Sequence, residues 1–346
     1  MSTYLSGSLR PRLARAVDTA VRWRLGFIEM AGSVPARVEA VDVAGFWLQS
    51  RVASPAPIRA TPLRSGRGPR LIDLAGDSEG PGEHLGSRRL HGRAMLQPDG
   101  SDTTVLLLHG FAAPGPFYEN HHARLLLRRG VNAARLDLPF HMTRRVAGRS
   151  PGGGFFSSDA AHTRAVLRQA TEDAAAVVAW LRREAGPRVV VVGFSLGGLV
   201  ACLLAATTAL DSVVAVTPPC ELTDIVLERS PRRTRRRLGL VDGAGGPWGG
   251  DAAAARAHLE AALAPVTPAR LRPVTPPHRI AVVAADHDQI VGREPVHRLA
   301  QTWGCDLWSY QHGHITVMTA RGITARLHDR VLERIEDTVA GVALAG

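Results

Sequence analysis

Four consecutive valines, Val189, Val190, Val191 and Val192, run straight into Gly193-Phe194-Ser195-Leu196-Gly197, and an apolar helical stretch from Leu199 follows at once. A continuous β-branched run of this kind suits a strand buried on both faces, as in a parallel sheet covered by helices. The chain must then turn from strand to helix within a few residues. Glycine at 193 and 197 removes the β-carbons that would collide in so sharp a turn. The serine between them is held out at the carboxyl edge of the sheet, over a helix N-terminus that favours developing negative charge. The pattern G-x-S-x-G is short enough to arise by chance as a serine in a glycine-rich turn; the strand before it and the helix after it give it weight.

The rest of the chain repeats that alternation. Strands are expected at 71–74, 90–96, 104–108, 131–138, 189–192, 213–216, 280–284 and 306–310, with helices at 119–129, 159–184, 196–209, 251–264 and 294–303. A last helix is striped by Ile323, Leu327, Val331 and Ile335. Strands alternating with helices mean an α/β domain with a mostly parallel central sheet and helices on both faces. Residues 53–70, rich in Pro, Arg and Ser, read as an irregular connection. Residues 8–29 carry Leu9, Leu13, Val17, Val21 and Leu25 at four-residue intervals among arginines. That stripe predicts a helix packed on the domain, with a helix lying on a membrane surface as the competing reading. Residues 221–277 break the rhythm with a run of arginines from Arg232 to Arg237, a Gly/Trp loop at 243–250 and an alanine-rich helix. The expected organisation is an N-terminal helical extension (1–52), a core (53–220 and 278–346) and a lid insertion (221–277) arching over the strand ends before the last two strands.

A serine hydroxyl is a poor nucleophile until a base takes its proton, and that base needs a third group to orient it. His314, in Gln311-His312-Gly313-His314, directly follows the last expected strand, and Asp288, in Ala285-Asp286-His287-Asp288, follows the one before. Both therefore sit on the same edge as Ser195, in the chain order Ser, Asp, His. Asp286 competes with Asp288, and His312 and His287 stand close to His314. An oxyanion needs donors as well. Leu108-His109-Gly110-Phe111 ends an apolar strand in a glycine turn that can aim the amide of Phe111 into the site, with the amide of Leu196 as second donor. His109 and Gly110 are candidate substrate contacts, although His109 fits better as a prop for the turn.

At these residues the chain resembles the α/β-hydrolase superfamily, from about Leu71 to the C-terminus. A narrower similarity, to the α/β-hydrolase domain-containing protein 18-like group, rests on Leu136-Asp137-Leu138-Pro139-Phe140-His141-Met142-Thr143-Arg144-Arg145, on Phe155-Phe156-Ser157-Ser158-Asp159 and on Arg168-Gln169-Ala170. The superfamily resemblance implies the α/β-hydrolase fold and esterase, lipase, thioesterase or peptidase chemistry without choosing among them. One departure stands out. Asp137-Leu138-Pro139 is normally followed by a glycine-rich turn, and here bulky and basic residues replace it. That makes Arg144 and Arg145 candidates to meet a carboxylate or phosphate on the substrate, against the plainer reading of a solvated basic loop.

Composition narrows the partners. The formal net charge is +11, yet the chain has no lysine at all, so the excess reads as arginine drift rather than as a nucleic-acid signature. The arginine run has no stacking aromatics interleaved, which further disfavours nucleic acid. Peripheral contact with an anionic membrane is the remaining reading of that charge. No stretch approaches eighteen apolar residues, the N-terminus lacks a secretory pattern, and three cysteines show no metal-ligand spacing, so a cytoplasmic chain without metal or cofactor is expected. The functional expectation is a serine hydrolase acting on a small-molecule or lipid-like ester or thioester through Ser195, His314 and Asp288. The competing expectation is the same scaffold without activity, binding a ligand or partner. The sequence leaves the oligomeric state open.

Overall fold

The computed structural model describes residues 11–26, 41–52, 54–64, 68–81, 87–237 and 251–343. Its strands are β1 (Arg59–Arg64), β2 (Arg70–Asp77), β3 (Arg89–Leu96), β4 (Thr103–Leu108), β5 (Asn132–Asp137), β6 (Arg188–Phe194), β7 (Ser212–Val216), β8 (Ile280–Ala285) and β9 (Asp306–Tyr310). They form one nine-stranded sheet in the order β1-β2-β3-β5-β4-β6-β7-β8-β9. The first three strands and the β3–β5 pair are antiparallel, and every pairing from β5 across to β9 is parallel. This is the α/β-hydrolase fold.

The helices are α1 (Pro11–Leu25), α2 (Val43–Leu48), α3 (Phe117–Leu127), α4 (Ala160–Glu184), α5 (Leu196–Thr207), α6 (Leu222–Asp224), α7 (Arg232–Arg237), α8 (Ala252–Leu263), α9 (Arg293–Trp303), α10 (His314–Met318) and α11 (Arg321–Ala343). Two cores lie on opposite faces of the sheet. Strand alternation divides the valines of β6 between them: Val189 and Val191 join the core under α4, α5 and α9, while Val190 and Val192 join the one under α3 and α11. All four are at most 3% exposed, and burying each such side chain contributes about 1.5–3 kcal/mol. Asp159 caps α4 by accepting the amide of Ala161 at 2.8 Å, and Val166, Ala170, Val177 and Leu181 line its buried face.

Two expectations fail here. Residues 59–64, expected to be irregular, form the edge strand β1, whose Pro62 and register shift are tolerated because an edge strand leaves one side of its backbone unpaired. On α1 the predicted stripe fails at Leu13, which is 55% exposed; Val17, Val21 and Leu25 are half-buried, and the fully buried positions are Ala14 and Asp18. A small side chain there lets the helix backbone approach closely. An alanine at Gly313 would bring its Cβ to 2.9 Å from the carbonyl oxygen of Ala14. Leu9 and the Gly/Trp loop 243–250 lie outside the described residues.

Between β7 and β8 the described part of 221–277 carries α6, a wide helical turn at Ile225–Arg229, α7 and α8. Arg256 on α8 ties the segment together through Asp224, Glu228 and Glu260 at 2.8, 2.6 and 3.3 Å. No helix among the described residues is long and apolar enough to cross a membrane.

Candidate active site

Backbone strain collects on one edge of the sheet. Among the described residues, all five non-glycine positions with positive φ follow the carboxyl ends of β4 to β7: Ala112, Phe140, Met142, Ser195 and Thr217. Each such position costs about 1–3 kcal/mol and persists only where its surroundings enforce it. Ser195 sits at φ 50° and ψ −113° between β6 and α5, with its amide donated to Val216 O at 2.8 Å. The flanking glycines are required by contact. A Cβ on Gly193 would meet Gly197 O at 2.0 Å, and one on Gly197 would meet Leu108 O at 2.2 Å, so neither position accepts alanine without moving main chain.

The structure brings Ser195, His314 and Asp288 into one hydrogen-bonded row. The Ser195 hydroxyl lies 2.9 Å from His314 Nε2, and His314 Nδ1 lies 2.8 Å from Asp288 Oδ2. A carboxylate only accepts, so Nδ1 carries the proton and Nε2 is left to accept from the serine. The two partners of the row are buried, His314 at 2% and Asp288 at 5% exposure. The second oxygen of Asp288 accepts the amides of Ile290 and Val291 at 2.8 Å each, which locks the carboxyl plane. Burial alone would raise the Asp288 carboxyl and depress the imidazole. Their mutual attraction outweighs it, aided at Asp288 by the two amides, so Asp288 is held below its ordinary value and His314 is lifted above its own. Asp286 is turned elsewhere, accepting from the side chain of Gln311. The imidazoles of His287 and His312 take no part in the row.

Next to Ser195, the backbone of Gly110 comes so close that a Cβ there would stand 3.6 Å from Ser195 Cβ. Phe111 follows Gly110 in this loop, and Leu196 follows Ser195 as the first residue of α5. Among the described residues neither the Phe111 amide nor the Leu196 amide donates to another backbone group. Two histidines brace the loop that carries Phe111. His109 Nε2 accepts the Leu138 amide at 3.0 Å and its Nδ1 bonds Gly110 O at 2.8 Å, linking the end of β4 to the end of β5. His141 returns the link: its Nε2 accepts the Ala112 amide at 3.1 Å and its Nδ1 bonds Pro139 O at 2.8 Å. With both ring nitrogens taken by main chain and only 1% exposure, His109 is a strut, which corrects its place among the candidate substrate contacts. Burial lowers its pKa to about 4, so the ring stays neutral.

Arg144 also requires correction. Its guanidinium is 1% exposed and is consumed internally by Asp173 Oδ2 at 2.7 Å, Asp137 O at 3.0 Å, Ser78 Oγ at 2.8 Å and Ser87 O at 2.7 Å. It holds the loop after β5 onto α4 and cannot meet a substrate. Arg145, its neighbour, is exposed. Of the arginine run, Arg232 and Arg236 are exposed, and Arg235 is half-buried with its Nη1 3.4 Å from Leu227 O.

Sequence reasoning passed over two residues at the site. His141 was visible only as part of a motif. Asp18, on α1, is fully buried and accepts amides from both loops that carry the row: His314 at 2.7 Å, Ile315 at 3.1 Å and Gln289 at 3.1 Å. A lone acid on an amphipathic stripe gives no sequence signal for this.

A profile of the alpha/beta hydrolase family matches residues 105–331, well over half of the chain, and the protein belongs to that family. No curated protein matches its sequence. Among solved structures it is similar to acetyl xylan esterase 1 from Thermoanaerobacterium sp. JW/SL YS485, with a TM-score of 0.61 and 15% identity over 90% of this chain and 98% of that one. It is also similar to an acetyl xylan esterase from Paenibacillus sp. R4, with a TM-score of 0.60 and 15% identity over 89% and 98%. At such identities the likeness is one of fold.

Proposed function

We propose that this protein is a serine hydrolase that cleaves a carboxylic ester or thioester through an acyl-enzyme. The observation that carries the reading is the unbroken row Ser195 Oγ, His314 imidazole and Asp288 carboxylate on the strained edge of the sheet. His314 takes the proton of Ser195 as its oxygen attacks the acyl carbon. Asp288 stabilises the imidazolium that results, and His314 then passes the proton to the leaving group. The amides of Phe111 and Leu196 receive the negative charge of the tetrahedral intermediate, each worth about 3 kcal/mol at the transition state. Water repeats the sequence to release the acid. The esterases with the same fold support an ester as the bond cleaved.

The finer parts of the reading follow from position. Residues 221–277 leave β7 at the carboxyl edge, where an insertion acts as a lid. Phe111, in the loop after β4, and Phe156 are half-buried with ring centroids 5.1 Å apart, an apolar pair that suits an acyl or lipid-like chain. The narrower kinship with the α/β-hydrolase domain-containing protein 18-like group rests on residues 136–145, 155–159 and 168–170. Presentation of substrate at an anionic membrane rests on the exposed Arg145, Arg232 and Arg236, at about 1 kcal/mol for each arginine near the surface. Equal hydrolysis rates in neutral and anionic vesicles, at low and high salt, would remove that part.

The test of the whole is fluorophosphonate labelling together with turnover of p-nitrophenyl esters of graded chain length. Labelling and turnover that both vanish in Ser195→Ala support the reading. A wild-type protein that neither labels nor turns over any of these esters leaves the scaffold as a ligand- or partner-binding protein.

A further inference from the structure

We propose that Asp18 is a positioning residue for the site: its buried carboxylate on α1 joins the loop of Asp288 to the loop of His314 and fixes their mutual geometry. The inference rests on the reading of Ser195, His314 and Asp288 as the reacting group, and extends it to the N-terminal helix.

The three residues of the row come from three separate strand ends, and beyond the sheet register and the His287 amide donated to His312 O at 2.9 Å, their spacing is set by further hydrogen bonds between loops. Asp18 supplies them from outside the sheet. Its Oδ2 accepts the amide of His314 at 2.7 Å and that of Gln289 at 3.1 Å, while Oδ1 accepts the amide of Ile315 at 3.1 Å. Gln289 follows Asp288 directly, so one carboxylate grips the base residue itself and the neighbour of the acid. From the same helix Arg22 Nη1 reaches the carbonyl of Gln289 at 3.4 Å, holding that loop on its other polar group. The approach leaves no slack. A Cβ on Gly313 would stand 2.8 Å from Asp18 Oδ2, so glycine before His314 is what admits the carboxylate. Asp18 is 0% exposed; burial, with the nearby charge of Asp288, raises its pKa, three amide donors oppose that rise, and both of its oxygens serve as acceptors.

A second effect follows from charge. The groups acting on the His314 imidazole are Asp288, its direct partner, and Asp18, whose negative charge adds to the lift against the depression caused by burial. Removing that charge while keeping the shape therefore lowers the pH at which His314 loses its proton.

The experiment uses the full chain with Asp18→Asn, which keeps the volume but turns an NH2 toward one of the amides. Three readings are taken: kcat and KM on the best p-nitrophenyl ester, the pH profile, and the imidazole titration of His314 by NMR, assigned against His314→Gln. The expected result is a kcat reduced tenfold or more with KM within twofold, and both the acid limb and the His314 titration displaced to lower pH. A variant with wild-type kcat and an unmoved His314 titration overturns the proposal, even if its melting temperature falls, because that pattern marks a merely structural acid. The NMR reading needs no turnover. A wild type without esterase activity whose His314 titration still responds to Asp18→Asn defeats the proposed function and supports the placement of Asp18. Where Asp18→Asn does not fold, hydrogen exchange in the wild type decides: protected amides at Gln289, His314 and Ile315 support the grip, and amides exchanging as freely as an exposed loop overturn it.

Discussion

Asp288 Oδ2 lies 2.8 Å from His314 Nδ1, while Asp286, two residues earlier, spends its carboxylate on the side chain of Gln311. The two acids are thus separated by what they touch. Asp288→Asn would place an NH2 against Nδ1, favouring the tautomer with its proton on Nε2, and is expected to lower kcat by about four orders of magnitude. Asp286→Asn is expected to stay within a few-fold of wild type. Steady-state kinetics on both variants check this, and the reverse ranking would move the acid to Asp286.

Ser195→Ala is expected to reduce kcat by about six orders of magnitude, since a triad without its nucleophile retains little beyond binding and the oxyanion donors. The substitution removes one oxygen from the strained turn and leaves no apolar cavity, so the melting temperature should be unchanged or slightly higher. A variant keeping a tenth of wild-type turnover would take Ser195 out of the reaction.

The pH dependence has a definite sign. His314 acts as base only when neutral, and its pKa is raised above the ordinary 6.5 because Asp288, helped by Asp18, outweighs the depression from burial. Activity should therefore rise with pH and reach half its plateau above pH 6.5. The measurement is kcat/KM across the pH range on an ester with a pH-independent leaving group. An acid limb centred well below 6.5 would mean that the imidazole is not lifted by its neighbours.

What could be read from the sequence were features written in local pattern. The valine run points to β6 because a continuous β-branched run suits a strand covered on both faces, and the turn after it follows from the two glycines. Asp288 and His314 stand out as candidates because each follows a strand that ends on the same edge as Ser195. Choosing Asp288 over Asp286 was harder, since what separates them, the amides of Ile290 and Val291 closing on Oδ1, is a turn geometry without a sequence signature. Other features stayed hidden because they depend on contacts between distant segments. The edge strand β1 has no apolar alternation, since its described side chains face solvent. Asp18 is polar on a stripe judged by its leucines, and only the close approach of α1 to Gly313 reveals the buried face. Arg144 misled for a related reason: arginine is read as a surface residue, and nothing local announces that Asp173, more than two dozen residues away, waits in the core.

That buried pair gives the last prediction. Arg144 and Asp173 have side chains 1% and 4% exposed and meet at 2.7 Å, with Ser78, Ser87 and the carbonyl of Asp137 also accepting from the guanidinium. Arg144→Ala leaves the Asp173 carboxylate buried without its cation, whose attraction partly opposes the desolvation that already holds its pKa above the ordinary value. Breaking one partner of such a pair costs about 3–5 kcal/mol, whereas Arg145→Ala, at an exposed neighbour, should stay within about 0.5 kcal/mol. Replacing both partners together, as Arg144→Met with Asp173→Leu, removes the orphaned charge and should restore part of the loss. Urea unfolding of the three variants decides. Equal midpoints for Arg144→Ala and wild type, with a raised KM for an anionic ester, would show instead that the guanidinium leaves the interior to meet substrate.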